Sequence, residues 1–154
     1  MKTVLTISLI LCLTFVFIQD LKERKVFALL LAAVCLHFGA LHYLHSNFYS
    51  FVCAISFNFC ILCFIGMVLF LVTQYLSKNS LATSIGMGDL LFFAAMAIGF
   101  PTLTFVVLFA GSLVFSLATF QLSRYFSKNP LIPLAGFQAL FLALVLGSNT
   151  VFNF

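Results

Sequence analysis

Charged side chains are scarce in this sequence, where seven Lys and Arg and three Asp and Glu make up only 6% of the 154 residues. A soluble domain carries about a quarter charged residues, so this chain lacks the polar side chains that a water-facing surface needs. Hydrophobic residues occupy 64% of the positions. The composition therefore excludes an ordinary soluble domain and indicates that most of the surface faces lipid.

Tryptophan is absent, and phenylalanine, with 22 residues, supplies most of the aromatic rings. In membrane spans such rings face lipid or fill helix contacts, so we assign them no cofactor role. Glycine lets neighbouring helices approach closely. Close helix contacts are predicted at Gly66, Gly99, Gly111 and Gly136.

Long apolar runs fill the sequence and lack the alternation of a membrane β-strand, as residues 51–72 illustrate. Backbone groups in lipid must be hydrogen-bonded internally, so non-alternating runs of this kind are helices. A spanning helix needs about 20 apolar residues, which leaves room for roughly five or six spans and no separate soluble domain. We predict an all-α integral membrane protein of about six transmembrane helices, forming one membrane-embedded domain over residues 1–154. The predicted spans are residues 4–18, 26–43, 48–75, 89–99, 103–122 and 131–146.

Basic residues predict the orientation of these spans. Three loops on one side contain Lys22, Arg24, Lys25, Lys78, Arg124 and Lys128. Only Lys2 lies on the other side. Because cytoplasmic loops are enriched in Lys and Arg, we predict that the three loops are cytoplasmic and that both termini are non-cytoplasmic. The expected location is the inner (cytoplasmic) membrane, with basic residues near anionic lipid headgroups.

Two short patterns resemble metal or redox motifs. Cys60 and Cys63 form a CxxC, and His42 and His45 lie three residues apart. No second CxxC occurs, and no acidic residue lies near the histidines in the sequence. We interpret the cysteines as small packing residues and the histidines as interfacial polar residues. We expect no metal, no cofactor and no nucleic-acid partner.

The sequence has only three carboxylate side chains, Asp20, Glu23 and Asp89. All three are predicted near the cytoplasmic ends of spans, where an ionisable residue is costly and therefore indicates a functional site. If Asp20 and Asp89 meet, they share a proton, and one acts as general base on a water while the other acts as general acid. The alternatives are that Asp20 pairs with Lys22 or Arg24 and that Asp89 caps its helix.

Residues 86–89 have the sequence GMGD. Gly86 and Gly88 let the backbone approach another segment and adopt conformations that other residues avoid. An aspartate delivered by such a turn at the membrane interface suits a site that admits an extended peptide. The pattern therefore favours a catalytic role for Asp89 over a purely capping one.

Three segments carry a family resemblance: residues 20–26 (DLKERKV), residues 86–95 (GMGDLLFFAA) and residues 132–140 (IPLAGFQAL). They are similar, in this order, to the first aspartate motif, the second aspartate motif and the opening of the last helix in type IV prepilin peptidases. These are GxGD-type membrane aspartic proteases of bacteria and archaea. The resemblance extends over nearly the whole chain.

The resemblance implies an aspartic endopeptidase with Asp20 and Asp89 as catalytic residues and with Gly86, Gly88 and Pro133 as supporting motif positions. It also implies the substrates, which are type IV prepilins or pseudopilins cut after a Gly at the cytoplasmic face, in pilus assembly or protein secretion. Aspartic chemistry uses a water and no metal.

The basic leader of such a substrate implies contacts beside the first aspartate, for which the candidates are Lys22, Glu23 and Arg24. The alternative is that Glu23 is a solvated loop charge and that Lys22 and Arg24 chiefly determine the topology.

Departures from the family pattern affect the expected function. Phe27 and Ala28 stand where the family has Pro-Asn, and Leu91 stands where many members have Lys. The change at 27–28 is expected to reshape the first loop and weaken substrate capture. The paired CxxC zinc motifs of larger bacterial members, associated with methylation, do not occur, so methylation is not expected. Two other hypotheses stay open: a non-catalytic assembly factor or degenerate paralogue, and a small transporter with a carboxylate proton relay.

Overall fold

A computed structural model describes residues 2–23, 27–76, 86–124 and 134–152, and the part of the chain that it describes contains six α-helices and no strand. The helices are α1 (Lys2–Glu23), α2 (Ala28–His45), α3 (Phe48–Leu76), α4 (Met87–Gly99), α5 (Thr102–Arg124) and α6 (Leu134–Phe152). The prediction of an all-helical protein is confirmed for these residues.

Four helices, α1, α2, α3 and α5, are long and apolar enough to cross a membrane, judged by length and composition. The apolar segments of α4 and α6 are shorter. At 1.5 Å per residue, the 13 residues of α4 extend only about 20 Å, which is less than the roughly 30 Å of a bilayer core. The four long helices indicate a membrane-embedded protein.

The helices extend beyond several of the apolar segments that predicted them. The first predicted span ends at residue 18, whereas α1 continues through polar residues to Glu23. Helical hydrogen bonding does not require apolar side chains, so hydropathy underestimates the length of a helix at its polar end. Asp20 consequently lies within the last turns of α1 and is held by that helix.

The core is formed mainly where α1 packs against α6 and where α2 packs against α4. On α1 the buried residues are spaced at helical intervals: Leu9, Leu13, Val16 and Asp20. This spacing places Asp20 on the same core-facing stripe as three aliphatic residues. By contrast, α3 is the least buried of the four long helices.

Glycines mark some helix contacts but not all that were predicted. An alanine Cβ at Gly99 would lie 2.8 Å from three Phe38 atoms, and one at Gly111 would lie 3.2 Å from Phe141 Cζ. These two predictions are confirmed. At Gly66 the prediction is wrong, because no described atom outside the local backbone lies within 4 Å of that position. Gly66 belongs to the exposed helix α3, where no neighbour packs closely.

The cysteine interpretation also needs correction. Cys12 and Cys35 are half-buried against the core, whereas Cys53, Cys60 and Cys63 are exposed on α3. The last three are therefore not packing residues. They lie in an apolar run because the exposed face of α3, the least buried of the four long helices, is itself apolar.

The C-terminal end of α4 is held by polar side chains from two neighbouring helices. Asn58 of α3 is fully buried, and its Nδ2 donates to the Ala97 carbonyl at 2.8 Å and to the Phe100 carbonyl at 2.9 Å. His42 of α2 is buried, and its Nδ1 lies 2.8 Å from the Ile98 carbonyl oxygen. The last carbonyls of a helix have no partner within the helix. These side chains satisfy three carbonyls where α4 ends.

His42 is therefore a buried cap at the end of α4, and its predicted position at the membrane interface stays a prediction. His45 is exposed and its Nδ1 bonds the Leu41 carbonyl of its own helix at 2.8 Å. Among the described residues no three His, Cys, Asp or Glu side chains lie grouped as metal ligands would.

Asn58→Leu is expected to destabilise the fold by about 1–2 kcal/mol, because two carbonyls at the end of α4 lose their donors inside the apolar bundle. Thermal unfolding of the purified protein in detergent measures the effect. Ser56→Ala is the control, since exposed Ser56 bonds only the Val52 carbonyl of its own helix at 2.9 Å. Equal unfolding temperatures for the two variants would contradict the capping role of Asn58.

Candidate functional site

Asp20 reaches from α1 to the first turn of α6. Its side chain is 7% exposed, and its Oδ2 accepts a hydrogen bond from the Gly136 amide at 2.7 Å. The rings of Phe17 and Phe137 pack beside this contact, with centroids 6.3 Å apart. From the first contact to the second, the residue number falls along α1 and rises along α6, so the two helices run antiparallel here. The C-terminal end of α1 therefore lies beside the N-terminal end of α6.

Asp89 reaches the same end of α6 from α4. It is the third residue of α4 and is half-buried. Its Oδ1 accepts from the Ala135 amide at 2.9 Å, and its Oδ2 accepts from the Gly86 amide at 3.3 Å. Asp89 therefore caps its own helix, as the structural alternative predicts, and it also binds a second helix.

Two adjacent amides of α6 thus bind carboxylates from two different helices. The first amides of a helix have no intrahelical acceptor, and the helix dipole makes this end favourable for anions. Ala135 and Gly136 supply two such amides, and the carboxylates of Asp20 and Asp89 interact electrostatically. The structure brings the two predicted catalytic aspartates together at this point.

Neighbouring carboxylates have a defined chemistry. They cannot both ionise cheaply, so a close pair binds one proton between them. Each carboxylate oxygen has two acceptor positions, so an oxygen that takes one backbone amide can still accept from a water or a substrate. An arrangement of this kind can supply a general base and a general acid on either side of a water. It can equally serve as a structural junction of three helices.

The glycine that permits a close approach is Gly136. An alanine Cβ there would lie 2.9 Å from Asp20 Oδ2 and 3.1 Å from Asp20 Cβ. The close-contact prediction for Gly136 is therefore confirmed, although its neighbour is a carboxylate and not an apolar side chain. Any larger residue at this position pushes Asp20 away from the amide.

The reason predicted for Gly86 and Gly88 is wrong in the structure. Gly86 has φ −69° and ψ 145°, which other residues adopt readily. Its close neighbour is Asp89 of the same turn and not another segment, since an alanine Cβ at Gly86 would lie 3.3 Å from Asp89 Oδ2. Around Gly88 no described atom outside the local backbone lies within 4 Å of that position.

The remaining predicted site residues fall partly outside the described structure. Lys22 is exposed in the last turn of α1. Glu23 ends α1, but its side chain lies outside the described part. Arg24 and Pro133 lie outside the described residues.

Sequence reasoning missed two fully buried polar residues, Gln138 of α6, one turn after Ala135, and Ser116 of α5. It also missed the amides of Ala135 and Gly136 as the groups that bind the aspartates. A signal for Gln138 exists, since it is a polar amide within an otherwise apolar run. The main-chain amides carry no sequence signal.

Comparison of this chain with protein-family models, with curated proteins and with solved structures finds no match.

Proposed function

We propose that the chain is a membrane aspartic endopeptidase of the prepilin-peptidase type, which removes the basic leader of type IV prepilins or pseudopilins after a Gly. One observation carries the proposal: Asp20 and Asp89, from different helices, accept hydrogen bonds from the adjacent amides of Gly136 and Ala135. These positions belong to the three segments in which the sequence resembles that family.

The chemistry follows from a carboxylate pair that shares one proton. The ionised carboxylate takes a proton from a water, and the water oxygen attacks the carbonyl carbon of the scissile peptide bond. The protonated carboxyl donates to the carbonyl oxygen, and a proton then passes to the leaving amine as the C–N bond breaks. The backbone amides hold both side chains in fixed positions, which reduces the cost of bringing water, acid and base together. Asp89, the more exposed of the two, is the carboxylate nearer to an entering peptide.

Charged residues beside the pair support a peptide substrate with a charged leader. Lys22, Glu23 and Arg24 follow Asp20 and are proposed to contact the charged leader. Among these, Glu23 is the residue whose charge complements a basic peptide.

The proposed topology has six helices in the cytoplasmic membrane, both termini on the non-cytoplasmic side and the aspartate pair facing the cytoplasm. The basic loops that adjoin α1 and α4 on the side of the pair support this orientation. The short α4 fits a position within the bilayer because Asn58 and His42 satisfy the carbonyls at its far end. These hydrogen bonds replace water at three carbonyls of that end.

A non-catalytic role for the same pair is the second candidate. The observation that favours it is that both carboxylates accept main-chain hydrogen bonds, which join α1, α4 and α6 whether or not any reaction occurs. An assembly factor would need only this junction. The two candidates differ in whether the acidity of the carboxyl groups matters.

Co-expression with a prepilin tests the proposal. The full chain is expressed with a type IV prepilin in cells that lack their own prepilin peptidase, and leader removal is followed by gel mobility and N-terminal sequencing. We expect cleavage immediately after the Gly that precedes the apolar segment.

The matched substrate control replaces that Gly with Val, and this prepilin should remain uncut. An intact leader on a panel of prepilins and pseudopilins, with the chain present in the membrane, would reject the peptidase and favour the non-catalytic candidate.

A further inference from the structure

Gln138 is a fully buried side chain with unmet hydrogen-bonding capacity. Within the described residues neither its Nε2 nor its Oε1 has a hydrogen-bond partner, although the residue is 0% exposed. Ser116 is equally buried, and its Oγ also has no partner in the described part of the chain. Buried polar side-chain atoms are paired in the large majority of cases, so such groups indicate either stored strain or a functional role.

The two residues lie at the same level of the bundle. Phe141 of α6 packs on Phe115, with ring centroids 5.4 Å apart, and approaches Gly111. Two helices joined by a short connection are antiparallel neighbours, so moving one turn towards the N-terminus of α6 corresponds to moving about one turn towards the C-terminus of α5. The starting level is that of Phe141, which lies between Gly111 and Phe115 of α5. Gln138 is therefore level with Ser116.

Gln138 is one helical turn along α6 from the amide that binds Asp89. Gln138 follows Ala135 by three residues, so the two share a face of α6. Side chains on a helix lean towards its N-terminus, which directs the Gln138 carboxamide towards the level where the Ala135 amide binds Asp89. The unpaired carboxamide thus leans towards the N-terminal end of α6, where both aspartates bind.

We propose that Gln138, assisted by Ser116, binds the main chain of the substrate peptide at one peptide unit next to the scissile bond. This inference rests on the proposed peptidase function. A carboxamide offers an acceptor and donors in one plane, which matches the N–H and C=O of an extended peptide. The helices use their own backbone groups internally, so an extended peptide in this bundle must find side-chain partners.

Because Gln138 is fully buried, this proposal requires that α5 and α6 move apart to admit the peptide. In the closed arrangement neither Nε2 nor Oε1 of Gln138 has a partner among the described residues, whereas in the open arrangement the bound peptide supplies a partner for each atom. The unmet hydrogen bonds raise the free energy of the closed state and so increase the preference for the bound state. Gln138 therefore contributes to peptide affinity without taking part in proton transfer.

Binding to an inactive protein tests this role separately from cleavage. In an Asp89→Asn background, affinity is measured for a synthetic peptide with a basic leader, a Gly and an apolar segment. Gln138→Leu is expected to weaken binding about tenfold, the equivalent of one to two net hydrogen bonds. The same variant should unfold at an equal or higher temperature, because it removes a buried unpaired group. The control is Gln121→Leu, which makes the same change at an exposed position of α5 and should leave affinity unchanged.

A second peptide series locates the contact. Each peptide N–H near the cut is replaced in turn by an ester oxygen, which removes one donor. At one position the ester should weaken binding to the Gln138 protein but have little further effect on Gln138→Leu. Suppose that the unaltered chain cleaves prepilin but that Gln138→Leu does not change the affinity for the all-amide peptide. That result would overturn this inference and leave the proposed function standing. Absence of both cleavage and peptide binding in the chain that retains Gln138 would overturn the proposed function as well.

Discussion

Asp20→Asn and Asp89→Asn should each reduce the rate of leader cleavage by about 10²- to 10⁴-fold while leaving the helical bundle folded. Asparagine retains a carbonyl oxygen that can accept the Gly136 or Ala135 amide, so the junction with α6 survives. It cannot exchange a proton in the way that the carboxyl group does. Initial rates on a purified prepilin, measured in detergent or in a reconstituted bilayer, give the size of the loss.

Comparison with alanine separates chemistry from structure. Asp20→Ala and Asp89→Ala remove the acceptor as well as the acid, and they should lower the unfolding temperature below that of the asparagine variants. If an asparagine variant cleaves at the original rate, that aspartate has no part in proton transfer. If both do so and only the alanine variants fail, the pair is a structural junction, and the acid and base of the cleavage reaction lie elsewhere in the chain.

Gly136→Ala should nearly abolish cleavage, with an expected loss of about 10²-fold, although it removes no functional group. The added Cβ would lie 2.9 Å from Asp20 Oδ2 and 3.1 Å from Asp20 Cβ, so the aspartate must leave its present position. A displacement of about 1 Å at a catalytic group costs a factor of this size. Crowding of a buried contact should also destabilise the fold by about 1–3 kcal/mol. Cleavage rate and thermal unfolding are measured on the same preparation.

Gly147→Ala is the matched control, because it makes the same change in the same helix. At that position no described atom outside the local backbone lies within 4 Å of the new Cβ. Replacing a helical glycine with alanine favours the helix by up to about 1 kcal/mol, so this variant should be active and at least as stable. Full activity of Gly136→Ala would show that the position of Asp20 against α6 does not matter for the reaction.

Hydropathy and charge, which are local properties, were enough to predict helices, their number and their approximate ends. The same information predicted that Asp20 and Asp89 lie near helix ends in segments of similar polarity. Local patterns also explain the buried stripe on α1, where helical spacing places Asp20 below Val16 and Leu13. These features follow from residues that are close in sequence, so they can be read without knowledge of the packing.

Packing decided which residues of the same type have different roles. Gly66 and Gly136 both occur in apolar runs, yet only Gly136 meets a side chain from another helix. Asn58 is one polar residue in the apolar sequence of α3, and only its position beside the end of α4 makes it a cap. Such assignments depend on the identity of the neighbouring helix, which the sequence of one segment does not contain.

The sequence by itself determined a helical, lipid-facing chain with two aspartates near helix ends, because apolar length, periodicity and charge act within a single segment. Only the tertiary structure decided that the adjacent amides of Ala135 and Gly136 bind both carboxylates, and that Gln138 is fully buried. The physical reason is that these contacts join residues as many as 116 positions apart, and their formation depends on how whole helix faces fit together.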